Sequence, residues 1–323
     1  MEKSSTHGES ASRGVRRTPT NIASADIEDY FHVEAFARSV DRSTWPSYSC
    51  RVESNTHRLL DLFDDCGIKG TYFILGWVAE RYPRLISEIA RRGHELGCHS
   101  YAHRPIYRLT PGEFREDTQR AKDLIEQASG ASICGYRAPS FSITNQSLWA
   151  FEILAELGFT YDSSVFPVRH DLYGIPGAPR VPFIVKTPSG PVVEYPMATF
   201  RLGSRGNLPV GGGGYLRIFP YWYTDLGVRR AWREGVPVVS YIHPWEIDPG
   251  QPRLAAPVKS RLRHYTNLSK TEERWRKLVR LGRFTSFRDS RLAESAAVYD
   301  LKETWNVQKR HDAAGSSILE QHR

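Results

Sequence analysis

Strand-like and helix-like segments alternate along the first half of this chain, and this alternation restricts the possible folds more than any other feature. Residues 55–66 carry leucines and a phenylalanine at helical spacing, and the β-rich segment 71–75 follows. Thr110 and Glu113 form a capping box that opens a predicted helix ending at Gly130. This order predicts an α/β fold with a mainly parallel sheet or a (β/α) barrel, whose functional residues lie at the carboxyl ends of the strands.

The rest of the chain adds further predicted elements. The other strands are predicted at 21–25, 94–99, 133–137, 159–162, 238–243 and 284–287, and the other helices at 79–92, 148–157 and 271–281. Residues 165–209 are rich in proline and glycine, which favours hairpins or a long excursion with one strand at 192–196. Four glycines at 211–214 indicate either a loop that approaches a sugar closely or a flexible turn.

Composition excludes several classes of protein. Hydrophobic residues make up 40% of the chain and charged residues 25%, which suits a globular protein, and no apolar run approaches the roughly 18 residues that span a bilayer. The four cysteines are widely spaced without a CxxC pair, so neither a disulfide framework nor a thiolate metal site is predicted. Residues 1–20 lack the apolar core of a secretory signal peptide, so we expect a disordered tail and a cytoplasmic location.

Two histidines four residues apart, His99 and His103, follow a predicted strand. On one face of a helical turn, their imidazoles would reach the same cation. The third ligand is expected from the acidic cluster after the first strand, whose carboxylates are Asp26, Glu28 and Asp29, because strand ends in a β/α fold converge at one rim. Two histidines and one carboxylate leave a coordination position open, as in hydrolytic metal sites, although an HxxxH pair alone also arises by chance.

Three further strand ends carry polar motifs, namely Arg137-Ala138-Pro139, Asp162-Ser163-Ser164 and His243-Pro244-Trp245. Together with the acidic cluster and the histidine pair they form an ordered set of five motifs, and this set resembles the polysaccharide deacetylases of carbohydrate esterase family 4. The segments 26–36, 211–221, 241–249 and 261–267 resemble a narrower branch, the deacetylases of exosortase-linked exopolysaccharide systems, which carry a C-terminal extension. The resemblance implies a distorted (β/α) barrel of the polysaccharide deacetylase type.

The resemblance also implies roles for the acidic cluster and the histidines. Asp26 would be the general base, His99 and His103 metal ligands, and His243 the general acid that protonates the leaving amine. The family has two adjacent aspartates where this chain has Asp26-Ile27-Glu28-Asp29, so the third ligand is either Glu28 or Asp29. Glu28 is preferred because some members of the superfamily use an Asp-x-Asp spacing, and Asp29 has an alternative as a structural turn cap.

Arg137 and Asp162 are implied to support these groups. The arginine would orient Asp26, and Asp162 would help to hold the arginine or the general acid. The alternative is a structural ion pair at the strand ends. His32 lies close enough to the acidic cluster to be a candidate for contacting it.

The implied activity is removal of N-acetyl groups from N-acetylhexosamine units of a polysaccharide or lipid-linked glycan in exopolysaccharide biosynthesis. It requires a divalent metal, for which Zn²⁺ is preferred and Co²⁺, Ni²⁺ or Mn²⁺ are also suited. Two other functions stay open: an allantoinase-like hydrolysis of an amide on a small heterocycle, and a non-catalytic module that binds anionic surfaces.

The positive charge of the chain is a local feature. The formal net charge is +8, and residues 259–291, with eleven basic and three acidic residues, carry the whole excess. We expect this segment to pack a helix bearing Trp275 on the barrel and to present its charge to an anionic glycan, a lipid diphosphate or the inner membrane surface, with no nucleic-acid partner. The predicted domains are a catalytic domain over 21–250 and a basic extension over 251–310, flanked by disordered tails over 1–20 and 311–323.

Overall fold

A mainly parallel β-sheet forms the centre of the molecule. The computed structural model describes residues 20–203 and 206–299. The strands in these residues are β1 (Asn21–Ile27), β2 (Thr71–Ile74), β3 (Glu95–Cys98), β4 (Gly135–Tyr136), β5 (Tyr161–Asp162), β6 (Phe183–Thr187), β7 (Gly190–Glu194), β8 (Thr199–Arg201), β9 (Asn207–Pro209), β10 (Val239–Ile242), β11 (Phe284–Thr285) and β12 (Ala297–Tyr299).

The strand order of the main sheet is β10-β1-β2-β3-β4-β5-β7-β6-β12, with β11 paired to the start of β1, and β8 and β9 form a separate antiparallel pair. In the described part of the main sheet, every pair of neighbouring strands is parallel except the hairpin of β6 and β7. Every residue of β1, β2, β3 and β10 is buried, as expected for parallel strands covered on both faces. The predicted α/β fold with a mainly parallel sheet is confirmed.

Helices cover this sheet, and most lie where the periodicity predicts them. The helices are α1 (Val52–Asp65), α2 (Gly76–Arg81), α3 (Pro83–Arg91), α4 (Pro111–Ser129), α5 (Ala150–Glu156), α6 (Gly213–Ile218), α7 (Tyr221–Arg233), α8 (Val258–Tyr265), α9 (Leu268–Val279) and α10 (Phe287–Ser290). The capping box of Thr110 and Glu113 is present at α4, which ends at Gly130 in the left-handed conformation with φ 69°.

One predicted helix is wrong, because residues 79–92 do not form a continuous helix. The chain divides there into α2 and α3, with the break at Tyr82. Pro83 has no N–H to donate to the preceding turn, and it occupies the first position of the new helix, where this donor is not needed.

The glycines at 211–214 lead into α6, which the sequence does not predict. A Cβ atom on Gly212 would lie 2.3 Å from a ring carbon of Tyr241, and one on Gly213 would lie 2.5 Å from the Tyr241 hydroxyl. Both positions therefore need glycine because the backbone packs directly on this tyrosine.

The basic C-terminal segment is attached to the rest of the molecule through α9 and β11. Trp275 of α9 is fully buried and stacks on Phe63 of α1 with the ring centroids 5.4 Å apart, which confirms the predicted packing of this helix. The division into domains at residue 250 stays a prediction. The tails predicted over 1–20 and 311–323 lie outside the described residues apart from residue 20. Among the described helices, none has both the length and the apolar character needed to cross a bilayer.

Candidate active site

The carboxyl ends of parallel strands bring the predicted motifs to one place. Asp26 lies near the end of β1, and His99, Arg137 and His243 directly follow β3, β4 and β10. Parallel neighbours end at the same edge of a sheet, so residues far apart in sequence meet there.

Glu28, His99 and His103 form a compact group of metal-ligand side chains, which we call the donor group. One ligand atom from each lies within 4.8 Å of the other two, all three residues are buried, and no second such group occurs among the described residues. Nδ1 of His99 lies 2.8 Å from the carbonyl oxygen of Arg137. Because a carbonyl only accepts, Nδ1 carries the proton and Nε2 keeps the lone pair that can bind a cation.

The two histidines do not lie on a helical turn, which corrects that prediction. The segment is an irregular loop in which Ser100 and His103 have positive φ angles of 62° and 49°. Asp117 of α4 fixes this loop by accepting a hydrogen bond from the backbone N–H of Tyr101 at 2.7 Å. The four-residue spacing therefore works through a tight loop.

The carboxylate of the donor group is Glu28. Its Oε2 lies 2.8 Å from Nε2 of His103, and its Oε1 accepts a hydrogen bond from Nε1 of Trp245 at 3.2 Å. Burial disfavours the charged carboxylate, but attraction to the surrounding histidines, His103 first, outweighs burial and holds the pKa of Glu28 well below its usual value.

Asp29 holds the start of α1 and is not part of the donor group, so the structure favours Glu28 as the third ligand. Its Oδ2 accepts hydrogen bonds from the backbone N–H groups of Arg51 at 2.5 Å and Val52 at 2.8 Å, and from Sγ of Cys50 at 3.1 Å. These donors occupy the carboxylate and satisfy N–H groups at the helix N-terminus. These contacts make Asp29 a cap of α1, a structural role like the turn-cap alternative, and the choice of metal ligand stays a prediction.

The donor group suits a divalent metal. Glu28 Oε2 is buried and, although it lies 2.8 Å from Nε2 of His103, it forms no hydrogen bond of acceptable geometry with a described residue, and the buried Nδ1 of His103 has no hydrogen-bond partner among them either. Buried polar atoms normally have a partner, and a cation held by the carboxylate would supply the one that Glu28 lacks. Two imidazoles and one carboxylate fit Zn²⁺, and they also fit Co²⁺, Ni²⁺ or Mn²⁺.

Arg137 holds Asp26 beside the donor group. Its Nη1 donates to Oδ1 of Asp26 and to Oγ of Ser24, both at 2.8 Å, and its Nη2 donates to Oγ of Ser163 at 3.0 Å. The arginine is fully buried, so the Asp26 carboxylate balances its charge. Oδ2 of Asp26 lies 3.9 Å from Nε2 of His243, which leaves this oxygen on the side of the general acid.

Asp162 forms no hydrogen bond or ion pair with Arg137 or His243 among the described residues, and Arg137 acts on it only through electrostatic attraction, so its predicted supporting role stays a prediction. Its carboxylate accepts hydrogen bonds from Oγ and N of Ser164, at 2.6 Å and 3.1 Å. It faces Glu194 of β7 in the strand register. Burial raises the pKa of both carboxyl groups, and repulsion from Asp162 raises that of Glu194 further. Ser163, the next residue, makes the contact with Arg137.

His243 is held from behind by Glu246, a residue that the sequence reasoning did not assign. Nδ1 of His243 lies 2.9 Å from Oε2 of Glu246, and its Nε2 lies 3.4 Å from Oε1 of Glu28. Burial lowers the pKa of His243, but the attraction of Glu246 outweighs it and the pKa is raised to about 9. Glu246 also accepts a hydrogen bond from Nε of the buried Arg217 at 2.5 Å. Burial would raise the pKa of Glu246, but attraction to Arg217 and His243 outweighs it and lowers the pKa to about 2. The three-residue spacing between His243 and Glu246 is the sequence feature from which this contact could have been predicted.

His32 lies beside the acidic turn but outside the donor group. Its Nδ1 accepts a hydrogen bond from the N–H of Asp29 at 2.9 Å, and its ring lies between Trp45 and Trp77, at centroid distances of 4.3 Å and 4.8 Å. Burial holds its pKa well below the usual value, so the ring stays neutral.

These groups share one cavity of about 260 Å³, which Asp26, Glu28, His99, His103 and His243 all line. Tyr173, Tyr215 and Phe219 add aromatic surface, and Arg263 adds a positive charge.

Residues 41–161, which carry His99, His103 and Arg137, match the family model of the polysaccharide deacetylases. Over this segment the chain is similar to the polysaccharide deacetylases. Residues 163–291 match a second model, which is described as a domain of unknown function, DUF3473.

This segment of the chain is also similar to parts of known deacetylases. The chain is 31% identical over 98 residues to a peptidoglycan-N-acetylglucosamine deacetylase of Bacillus cereus, which covers 30% of this chain and 36% of the relative. It is 31% identical over 108 residues to a peptidoglycan deacetylase of Helicobacter pylori, which covers 33% of this chain and 36% of the relative. The matched part is about a third of the length of these relatives.

Solved structures support the fold. A protein of Mycobacterium smegmatis described as a polysaccharide deacetylase superposes with a TM-score of 0.54 at 18% identity, over 92% of both chains. An allantoinase superposes with a TM-score of 0.56 at 14% identity, over 87% of this chain and 92% of the other. The predicted (β/α) barrel of the polysaccharide deacetylase type is confirmed.

The site extends beyond the matched polysaccharide deacetylase segment in both directions. Asp26 and Glu28 precede residue 41, and His243 and Glu246 lie in the DUF3473 region. His243 lies 3.4 Å from Glu28, which shares the donor group with His99 and His103, so the DUF3473 region and the matched segment contribute side chains to the same site.

Proposed function

We propose that this chain is a metal-dependent N-deacetylase that removes acetyl groups from N-acetylhexosamine units of a polysaccharide or lipid-linked glycan. One observation supports the proposal most strongly. The buried donor group of Glu28, His99 and His103 shares a single cavity with Asp26 and His243. A site with a metal, a base and an acid in one cavity has the components of amide hydrolysis.

The residues of the chain would divide the chemistry between them. A metal on the donor group supplies Lewis-acid polarisation and lowers the pKa of water, and Zn²⁺ is our preferred ion. Asp26, anchored to Arg137 through Oδ1, takes up the proton of water through Oδ2. His243 delivers a proton from Nε2 to the departing amine, while Nδ1 stays on Glu246. The products are acetate and an amino sugar within the glycan.

The aromatic surface of the cavity supports a sugar as the substrate. Tyr173, Tyr215 and Phe219 line the cavity and can pack against the apolar faces of sugar rings. Ser140 lies on the same wall with φ 55°, and we place a backbone N–H donor for the developing oxyanion in the segment 136–141. We further propose a role in exopolysaccharide biosynthesis at the cytoplasmic side of the membrane.

Acetate release tests the proposal. We expect the purified chain to release acetate from N-acetylglucosamine oligomers or peptidoglycan, and the activity to be lost after chelation and in His99→Ala. His57→Ala provides the matched control, because His57 lies in α1 outside the cavity lining. Turnover of a ureide alone would favour an allantoinase-like enzyme. Binding to anionic surfaces without turnover of any substrate by the metal-loaded protein would favour a non-catalytic module.

A further inference from the structure

Helix α8 presents apolar and basic side chains to the outside. Val258 and Leu262 lie four residues apart, on one face of the helix, and are 69% and 64% exposed. Lys259 and Arg261 are exposed as well. A surface helix normally turns its apolar side chains toward the core, so the orientation of this helix requires another explanation.

The attachment of α8 to the protein does not use these residues. His264 at the end of the helix is buried, stacks on Trp245 at 4.1 Å, and has its Nε2 2.7 Å from Oε1 of Gln251. The hydroxyl of Tyr265 accepts a hydrogen bond from the N–H of Leu254 at 2.8 Å. The outward face is therefore free for another role.

The charge on this face is of one sign and is not neutralised. Residues 249–271 contain five basic residues and no acidic residue. Neither Lys259 nor Arg261 forms an ion pair with any described residue. In α9, by contrast, Arg276 and Lys277 are paired with acidic side chains at 2.9 Å and 2.6 Å. Unpaired charge of the basic segment thus includes Lys259 and Arg261 of α8, and Arg280 and Arg283 after α9 are also exposed and form no ion pair with a described residue.

The same region borders the mouth of the cavity. Arg263 of α8 lines the cavity, as do Leu172, Ile218 and Phe219, which are 39%, 40% and 37% exposed. Exposed apolar side chains therefore occur on the helix and also among the residues that line the cavity beside it.

We propose that the outward face of α8 docks on an anionic lipid bilayer. The basic side chains are attracted to the negative membrane surface, and Val258 and Leu262 enter the headgroup region, as in amphipathic helices that lie in the interface. A soluble anionic glycan or a nucleic acid would match the charge, but it would offer no apolar surroundings for these two side chains. Docking places the cavity mouth at the membrane, so that, if the proposed function holds, the substrate is a glycan on a lipid carrier.

Flotation of the full chain with vesicles tests this proposal. We expect binding to vesicles of phosphatidylcholine with phosphatidylglycerol and not to phosphatidylcholine alone, with weaker binding at high salt. Arg261→Glu should weaken binding by roughly tenfold or more, since one basic charge near the surface contributes about fivefold and reversal removes more than one charge. The double variant Val258→Ser and Leu262→Ser should also weaken binding.

Matched controls make the result specific to α8. Arg84→Glu reverses a charge on α3 that is exposed and unpaired among the described residues, and Val298→Ser removes an apolar side chain that is 53% exposed on β12. Both controls should bind vesicles like the unaltered chain, and every variant should keep its acetate release from a soluble oligomer. No binding to anionic vesicles, or full binding by the Val258→Ser and Leu262→Ser variant, would overturn the proposal without bearing on the deacetylase activity.

Discussion

The carboxylate of Glu246 lies 2.9 Å from Nδ1 of His243, three residues earlier in the same turn. With Nδ1 fixed, Nε2 of the ring is directed to the donor group, 3.4 Å from Oε1 of Glu28. Arg217 holds the other oxygen of Glu246 at 2.5 Å. Arg217, Glu246 and His243, all in the DUF3473 region, thus form a chain of contacts that ends at the candidate general acid.

We expect Glu246→Gln to lower kcat by roughly 10- to 100-fold with little change in KM, because loss of an orienting carboxylate commonly costs this much. Steady-state acetate release measures both constants. Glu273→Gln serves as the control, since Glu273 is exposed on α9. An unchanged kcat in Glu246→Gln would show that the ring does not need this carboxylate.

The Glu246 carboxylate should also make stability depend on pH. Its pKa is about 2 in the folded protein, against 4.5 for the ordinary group, so its contribution is complete above about pH 5 and declines as the pH falls from 4.5 to 2. The corresponding free energy is on the order of 3 kcal/mol. Urea unfolding should therefore show a stability difference between the unaltered chain and Glu246→Gln that shrinks on acidification. A difference that is constant with pH would contradict the buried ion pair.

Variants of Glu28 and of Asp29 should differ in their metal content. Glu28→Gln is expected to lose bound metal and keep most of its stability. Asp29→Ala is expected to keep the metal and lose about 1 to 2 kcal/mol of stability, because Asp29 satisfies N–H groups at the start of α1. Elemental analysis and thermal unfolding distinguish the two, and loss of metal in Asp29→Ala with retention in Glu28→Gln would reverse the assignment.

Arg137 and Asp162 provide a second contrasting pair. Arg137→Lys should lower kcat by about 100-fold, because a lysine cannot reach Asp26, Ser24 and Ser163 together as the guanidinium does. Asp162→Asn should keep kcat within roughly threefold, because this side chain bonds Ser164 and not the reacting groups. Equal losses in both variants would mean that Asp162 acts on the site after all.

The sequence was sufficient to predict the site residues that lie at the ends of strands. Asp26, His99, Arg137 and His243 meet because parallel strands β1, β3, β4 and β10 end at one edge, and this is a property of the fold class. The alternation of predicted strands and helices indicated the α/β fold, because few other folds have this order of elements.

The missed features depend on contacts that no local pattern encodes. Asp162 faces Glu194, which comes from the proline- and glycine-rich stretch, so its partner was not visible from the motif. The arginine of the Glu246 pair, Arg217, is 29 residues away in α6. Glu28 and Asp29 are adjacent carboxylates, and only the position of α1 decides which of them is taken up by backbone N–H groups.

The most direct test is acetate release from an N-acetylglucosamine oligomer during titration of Zn²⁺ into the metal-free protein. We predict that activity appears with added metal, saturates at one ion for each chain, and is absent in His103→Ala at every metal concentration. Equal acetate release by the metal-free and metal-loaded protein, or full activity in His103→Ala, would contradict the assignment of Glu28, His99 and His103 as the metal centre of a deacetylase.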